Sequence, residues 1–186
     1  MIPILPTAAS TSWCIPLDKT KLTLRDVALF GILGALTFGT KVAMSFLPNI
    51  EPTSLLVMVY VVVFGRKALY PIYLYVALEI LFYGIQLWNI NYLYVWLILA
   101  LGAWLLRKAE HPLAWALLSA VFGLFFGALC APVYLFVGGP KMALSWWISG
   151  IPYDLLHCAG NFVMALVLFQ PLRKLLTNLY TRLHTK

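Results

Sequence analysis

Residues 41–53 read KVAMSFLPNIEPT and join two apolar runs of the chain. Pro48 and Pro52 restrict their own backbone and that of the residues before them, which predicts a tight corner between two helices. The run before the corner carries Lys41, and an ionisable side chain in a lipid-embedded helix is costly unless it faces a partner, a cavity or a ligand. The stretch therefore predicts a helical membrane protein with a polar site near this corner.

The composition of the chain is that of a membrane protein. Of its 186 residues, 63 % are hydrophobic and 10 % are charged, whereas soluble domains carry about 25 % charged residues. At about 20 residues per membrane-spanning helix, a chain of this length has room for about six helices with short connections. We therefore expect an all-α membrane protein folded as a bundle of six transmembrane helices.

Apolar runs along the chain give the order of these helices. The six predicted spans are 27–46, 50–64, 68–87, 90–106, 113–137 and 155–172. A loop is expected at 138–154, and Pro132 is expected to kink the fifth span. This pattern divides the chain into a poorly ordered or interfacial amino-terminal segment (1–24), a six-helix membrane domain (25–173) and a basic cytoplasmic tail (174–186).

The distribution of basic residues predicts the orientation of the bundle. Eleven lysine and arginine residues fall before the first span, in the second and fourth connections and in the tail, and the opposite connections hold only Lys141. Because cytoplasmic loops are enriched in Lys and Arg, we expect both termini in the cytoplasm and a multi-pass protein of a bacterial plasma membrane. The same bias accounts for the net charge of +7, so the charge does not indicate nucleic-acid binding.

Lys41 in the first span and Glu79 in the third lie at similar depths, about 8–10 Å below the outer helix ends. Opposite charges at one depth predict either a buried ion pair, which relieves the cost of both groups, or two groups that meet a polar ligand. Glu51 in the corner is a second candidate partner for Lys41. The sequence leaves the choice between the two carboxylates open.

Asp154, His157, Cys158 and Asn161 lie on one side of the last span, because offsets of three, four and seven residues share a helix face. One interpretation is a hydrogen-bonded network between helices, and another is a ligand contact. An alternative function is an intramembrane enzyme that uses Asp154, His157 and Cys158. Adjacent His157 and Cys158 point about 100° apart and no further ligand pair accompanies them, so a metal site is not expected.

Polar and aromatic residues also gather at the predicted outer ends of the helices. They indicate either the mouth of a ligand pocket or an interfacial aromatic belt. The binding candidates among them are Asn49, Glu51, Gln86, Asn91, Trp146 and Trp147.

Small residues recur on one face of the first span. They permit the close approach of another helix, either inside the bundle or from a partner protein. The positions are Ala28, Gly31, Ala35 and Gly39. A similar stripe in the fifth span, for which we expect packing inside the bundle, comprises Gly123, Gly127 and Ala131.

From about residue 24 to residue 172, the chain resembles the substrate-binding S component of energy-coupling factor (ECF) vitamin transporters. The resemblance rests on LRDVALFGILGAL (24–36), LPNIEP (47–52), VYVVVFGRKALYPIYLYVALE (59–79) and WWISGIPYDLLHCAGN (146–161). It is a match of length, six-span layout and segment character, and none of these segments is a catalytic signature. Segment character favours the cobalamin type, although no residue selects a corrin over another ring.

The resemblance implies a vitamin-binding protein with an outward-facing pocket, without enzymatic activity or a cofactor. It also implies docking through an AxxxA stripe on the first helix, onto a transmembrane coupling protein driven by two ATPase subunits. In this chain the stripe reads Gly31-x-x-x-Ala35-x-x-x-Gly39, which departs from AxxxA but keeps the small side chains. The chain has no Walker motif, so ATP hydrolysis would come from the partners.

Overall fold

The computed structural model of the protein describes residues 21–47 and 49–185. The first twenty residues of the predicted amino-terminal segment, and Pro48 of the corner, lie outside the described residues. The described residues form helices and connections, with no strand among them. The helices are α1 (Leu24–Ala43), α2 (Thr53–Phe64), α3 (Leu69–Tyr83), α4 (Leu87–Leu105), α5 (Pro112–Leu124) and α6 (Phe126–His184).

Helix α1 begins three residues earlier than the apolar run suggested, because a capping box fixes its start. The Asp26 amide donates to Thr23 Oγ1 at 3.1 Å, and the Thr23 amide donates to Asp26 Oδ2 at 3.0 Å. Such reciprocal bonds satisfy amide groups that have no partner inside the helix. Lys41 lies in the last turn of α1, immediately before the corner.

Helix α2 runs antiparallel to α1 and occupies the centre of the protein. The hydroxyls of Thr37 and Tyr60 lie 3.0 Å apart, and nearer the start of α1 Phe30 packs on Phe64 with ring centroids 5.1 Å apart. Eleven of the twelve residues of α2 are buried. A helix that is apolar on all sides is expected in the interior, since it has no polar face to present to water.

Helix α3 runs parallel to α1, so the chain reverses direction between α2 and α3. Phe30 stacks on Tyr70 near the start of both helices, and Phe38 packs on Phe82 near their ends. The reversal occupies a short 3₁₀ turn at Gly65–Ala68, where Gly65 has φ +59°. This conformation is readily adopted by glycine because it has no Cβ.

Helix α5 and the part of α6 before Gly139 run antiparallel to the part of α6 after it, so that the three form a long hairpin with Gly139 at its tip. Trp115 stacks on Phe169 at 4.2 Å, and closer to the tip Tyr134 stacks on Trp146 at 3.9 Å. Gly139 has φ +77° and is the one non-helical residue inside α6. We name the two parts of α6 the proximal arm (126–138) and the distal arm (140–184).

The loop predicted at 138–154 is wrong, because the distal arm is helical from its beginning. Proline is tolerated in the first turn of a helix, where its missing N–H has no partner to lose, so Pro140 starts the distal arm instead of extending a loop. Pro132 lies inside the proximal arm, where the backbone angles stay helical. Past residue 172 the distal arm continues as helix to His184, and Tyr180 packs on Phe64.

The protein is all-helical, and its described part contains four continuous helical stretches long and apolar enough to cross a membrane. They are Leu24–Ala43, Thr53–Tyr83, Leu87–Leu105 and Pro112–His184. The second of these stretches reverses direction at the 3₁₀ turn and the fourth at the hairpin tip. Large apolar side chains cover the outside of the bundle, such as Leu81, Ile85 and Phe136, which are 75 %, 85 % and 88 % exposed.

Candidate functional site

Lys41 and Glu79 form an ion pair between α1 and α3, beside the corner. Lys41 Nζ lies 2.8 Å from Glu79 Oε2 and donates a second hydrogen bond to the Tyr92 hydroxyl at 3.2 Å. The Glu79 side chain is fully buried, whereas that of Lys41 is 20 % exposed. Between the two carboxylates that the sequence offered, the structure thus pairs Lys41 with Glu79.

Three aromatic rings surround the Lys41 ammonium. Nζ lies 5.0 Å from the centroids of Trp88 and Tyr92 and 5.9 Å from that of Tyr75. A cation within about 6 Å of an aromatic centroid is attracted by the negative face of the ring. We call Tyr75, Trp88 and Tyr92 the aromatic cage. Its rings come from α3 and α4, which the short connection at 84–86 holds antiparallel.

The corner between α1 and α2 borders a pocket of about 250 Å³ that reaches Lys41. The residues that line it are Lys41, Val42, Met44, Ser45, Leu47, Asn49, Glu51 and Tyr83. Asn49 has φ +56°, a left-handed conformation that asparagine tolerates better than most residues. Two of the predicted corner residues, Asn49 and Glu51, therefore share the pocket with Lys41.

Glu51 brings a second carboxyl group close to the ion pair. Burial raises the pKa of the Glu51 carboxyl, the Lys41 ammonium opposes this effect, and the Glu79 carboxylate adds to it. The pKa is raised overall, because one lysine does not compensate both the burial and the neighbouring negative charge. Lys41 and Glu51 thus line the pocket, and the fully buried Glu79 carboxylate lies behind Lys41, outside the lining.

Several buried polar atoms around the cage have no hydrogen-bond partner in the protein. Among them are Glu79 Oε1, the Tyr75 hydroxyl and Trp96 Nε1. A buried polar group without a partner costs about 1–3 kcal/mol. Such atoms are expected in a site that hydrogen-bonds water or a ligand.

A second polar cluster joins the distal arm to the proximal arm, to α5 and to α2. Asp154 accepts the Gly127 amide hydrogen bond on both carboxylate oxygens, at 3.0 and 3.1 Å. Asn161 Nδ2 donates to Ser54 Oγ at 3.2 Å and to the Ser119 carbonyl at 3.1 Å. These bonds form the interhelical network that was one of the two interpretations of Asp154 and Asn161, and a ligand contact of these residues stays a prediction.

His157 lies in the same cluster but has no polar partner there. It is buried against Phe126 and Phe122, with ring centroids 5.0 and 6.4 Å away, and neither ring nitrogen has a hydrogen-bond partner. Asp154 therefore does not orient His157, and Cys158 is not bonded to it. Among residues 21–47 and 49–185, no three His, Cys, Asp or Glu side chains are grouped to hold a metal ion.

The remaining binding candidates lie outside the pocket. Gln86 immediately precedes α4, where its amide donates to Asn89 Oδ1 at 2.6 Å and its side chain is exposed. Asn91 is buried and accepts a hydrogen bond from the Tyr94 hydroxyl at 3.1 Å. Trp146 stacks on Tyr134 near the hairpin tip, and Trp147 is exposed beside it.

The small-residue stripe of α1 faces away from the bundle. Ala28, Ala35 and Gly39 are exposed, and a Cβ placed on Gly31 or Gly39 would meet no atom within 4 Å. By contrast, the stripe of the fifth span packs inside, as predicted. A Cβ on Gly123 would lie 2.9 Å from the His157 backbone, and one on Gly127 would lie 2.6 Å from Asp154.

A third polar cluster, at the opposite end of the bundle from the corner, was not predicted. Asp26 is fully buried, with Lys67 Nζ 2.9 Å from its Oδ2 and His184 Nε2 3.1 Å from its Oδ1. The only sign of this cluster in the sequence is Asp26, an acidic residue in the first turn of α1. Acidic residues are common there as helix caps, so the residue by itself does not indicate distant partners. Contacts across more than forty residues of sequence bring the two partners to it.

Comparison of the chain with protein-family models, with curated protein sequences and with solved structures finds no match.

Proposed function

We propose that the chain is the substrate-binding subunit of an ECF-type importer, which binds a vitamin or a vitamin precursor from outside a bacterial plasma membrane. The observation that carries the proposal is the Lys41–Glu79 ion pair, which lies inside an aromatic cage beside the pocket at the corner. Small-molecule sites combine apolar or aromatic walls with a few placed polar groups. A purely structural ion pair would not need the neighbouring pocket or the unpartnered Glu79 Oε1.

The arrangement of charges supports six membrane spans with both termini in the cytoplasm. Helical segments alternate in direction, with reversals at the corner, the 3₁₀ turn, the two further connections and the hairpin tip. Arg25, Lys67 and His184 meet at the end of the bundle opposite the corner. Because basic residues concentrate on the cytoplasmic side, the corner and its pocket would then face outward.

The exposed stripe of α1 supports docking onto a transmembrane coupling protein. Small side chains let two helix backbones approach closely in a membrane, and Gly31, Ala35 and Gly39 have no such neighbour inside the bundle. Two ATPase subunits would drive the coupling protein, because this chain has no ATP-binding motif.

The volume of the pocket restricts the size of the ligand that we propose. A volume of about 250 Å³ is just below the range of about 300–1,000 Å³ that is typical of ligand sites. It favours a molecule with one or two small rings over a corrin, which is larger. We therefore do not propose a cobalamin-type ligand for this site.

Ligand binding is tested by thermal shift of the detergent-purified full chain against a panel of vitamins and precursors. We expect one compound to raise the melting temperature with a sub-micromolar Kd, and Glu51→Gln, which changes the pocket lining, to reduce the shift. Glu110→Gln, an exposed carboxyl in a different pocket, is the matched control and should retain it. A panel without any stabilising compound would contradict the proposal.

Partner docking is tested by mild detergent extraction from the native membrane. We expect a coupling protein and ATPase subunits to co-purify with the chain, and Ala35→Leu to lose them while ligand binding stays unchanged. Gly150→Leu adds the same side chain at a position with open space around it and should keep the partners. Retention of the partners by Ala35→Leu would argue against this surface.

A further inference from the structure

The proposed ligand site has an excess of negative groups over positive ones. Glu51 and Lys41 line the pocket, and the Glu79 carboxylate pairs with Lys41 behind this lining, so that two carboxyl groups accompany one ammonium group. With both carboxyl groups ionised, the site carries a net charge of −1. The Glu79 carboxylate is fully buried, and its Oε1 has no hydrogen-bond partner in the protein.

The rings around the Lys41 ammonium, which lie behind the pocket lining, are of the kind that binds cations. Three rings of the aromatic cage lie 5.0, 5.0 and 5.9 Å from a positively charged nitrogen, which at present is that of Lys41. Aromatic cages beside a carboxylate recognise organic ammonium groups, because the ring faces and the carboxylate attract the same charge. An anionic ligand would meet Glu51, Glu79 and the negative ring faces instead.

We propose that the ligand of this site is an organic cation, whose positive group enters the aromatic cage, contacts Glu79 and displaces or joins the Lys41 ammonium. In this arrangement Lys41 is a built-in competitor that keeps Glu79 paired while the site is empty. It can leave the cage because its side chain is 20 % exposed and borders the pocket. This inference rests on the proposed binding function and adds the chemical class of the ligand.

The first test compares two probes of the same shape and different charge. Choline and 3,3-dimethylbutan-1-ol differ in a quaternary nitrogen against a quaternary carbon. Isothermal titration calorimetry on the detergent-purified full chain should give choline a Kd at least about tenfold lower than that of the alcohol, since cation–π and carboxylate contacts favour the charge. Equal affinities, or tighter binding of the alcohol, would overturn the inference.

The second test uses variants of the charged groups. Glu79→Gln should reduce the preference for choline to less than about threefold, whereas Glu110→Gln, an exposed carboxyl in a different pocket, should leave it unchanged. Lys41→Met removes the competing ammonium and should strengthen choline binding at least about tenfold. If Lys41→Met folds poorly, choline should still raise its melting temperature more than it raises that of the unmodified protein.

Failure of this inference can be told apart from failure of the proposed function. If neutral or carboxylate-bearing vitamins stabilise the protein and choline does not, the ligand is not a cation but the chain is still a solute-binding protein. If no solute of any charge stabilises it, both proposals fail. If choline binds but Glu79→Gln has no effect, the cation occupies another site and the assignment to the cage is wrong.

Discussion

Removing Lys41 tests how strongly the buried ion pair stabilises the protein. In Lys41→Met the fully buried Glu79 carboxylate loses its partner at 2.8 Å and keeps an unpartnered second oxygen. Breaking a buried pair by removing one member costs about 3–5 kcal/mol. Because Lys41 is 20 % exposed, we expect a loss at the lower end of this range, about 3 kcal/mol.

The single variants Lys41→Met and Glu79→Gln should differ in stability, because the charged group that each leaves behind differs in burial. Glu79→Gln leaves a lysine that can turn towards the pocket and that still faces the aromatic cage, so we expect a loss of about 1 kcal/mol. The double variant Lys41→Met/Glu79→Gln leaves no unpaired charge and should lie within about 1 kcal/mol of the unmodified protein in stability. The four proteins form a double-mutant cycle with an expected coupling of about 3 kcal/mol, because the single losses add up to about 4 kcal/mol and the double variant loses about 1 kcal/mol.

The assay is thermal unfolding of the purified proteins in one detergent. For a chain of this length, 1 kcal/mol corresponds to about 2–4 °C, so Lys41→Met should melt about 6–12 °C lower. Lys174→Met removes an exposed lysine and is the matched control, with a change of less than about 2 °C expected. A Lys41→Met variant as stable as this control, or a double variant as unstable as the sum of the singles, would refute the reasoning.

Three further predictions concern other parts of the molecule. Trp115→Ala removes a fully buried ring stacked on Phe169 and should lower the free energy of unfolding by about 3–5 kcal/mol, measured in the same melts; the exposed Trp147→Ala should change it by less than about 1 kcal/mol. Lys67→Met leaves the buried Asp26 carboxylate without its lysine at 2.9 Å and should cost about 3 kcal/mol, with Lys67→Arg recovering most of it. Choline binding should strengthen as the pH rises through the raised pKa of the Glu51 carboxyl, because the protonated form present at lower pH gives the cation no negative partner; Glu51→Gln should remove this pH dependence, and its persistence in that variant would exclude Glu51 as the source.

Composition and local pattern were sufficient to predict the helical class of the protein. The apolar runs located the ends of α1 to α4 to within four residues, whereas the last run, 155–172, covers only part of the distal arm. The error at 138–154 arose because a segment rich in Gly, Pro and Trp is typical of a loop. Pro140 instead stands where a helix tolerates proline, and the reversal needs only Gly139, with its φ of +77°.

The candidate site was predicted in part. The sequence predicted that Lys41 and Glu79 lie at similar depths, because the rise per residue of a helix is fixed. The prolines on either side of the corner made Glu51 a further candidate. The aromatic cage was missed, because Trp88 and Tyr92 also fit an interfacial belt and nothing in the sequence separates the two roles.

The sequence by itself determined which residues are too polar for lipid and which helix face each of them occupies, because both properties depend on residue type and on a 3.6-residue period. Only the tertiary structure decided which of those faces meet. It placed Asp154 on the Gly127 amide, away from the Lys41 pocket, and it joined Asp26 to His184 across the whole chain. The physical reason is that helix packing is set by the fit of side chains from segments far apart in sequence, and no local pattern records that fit.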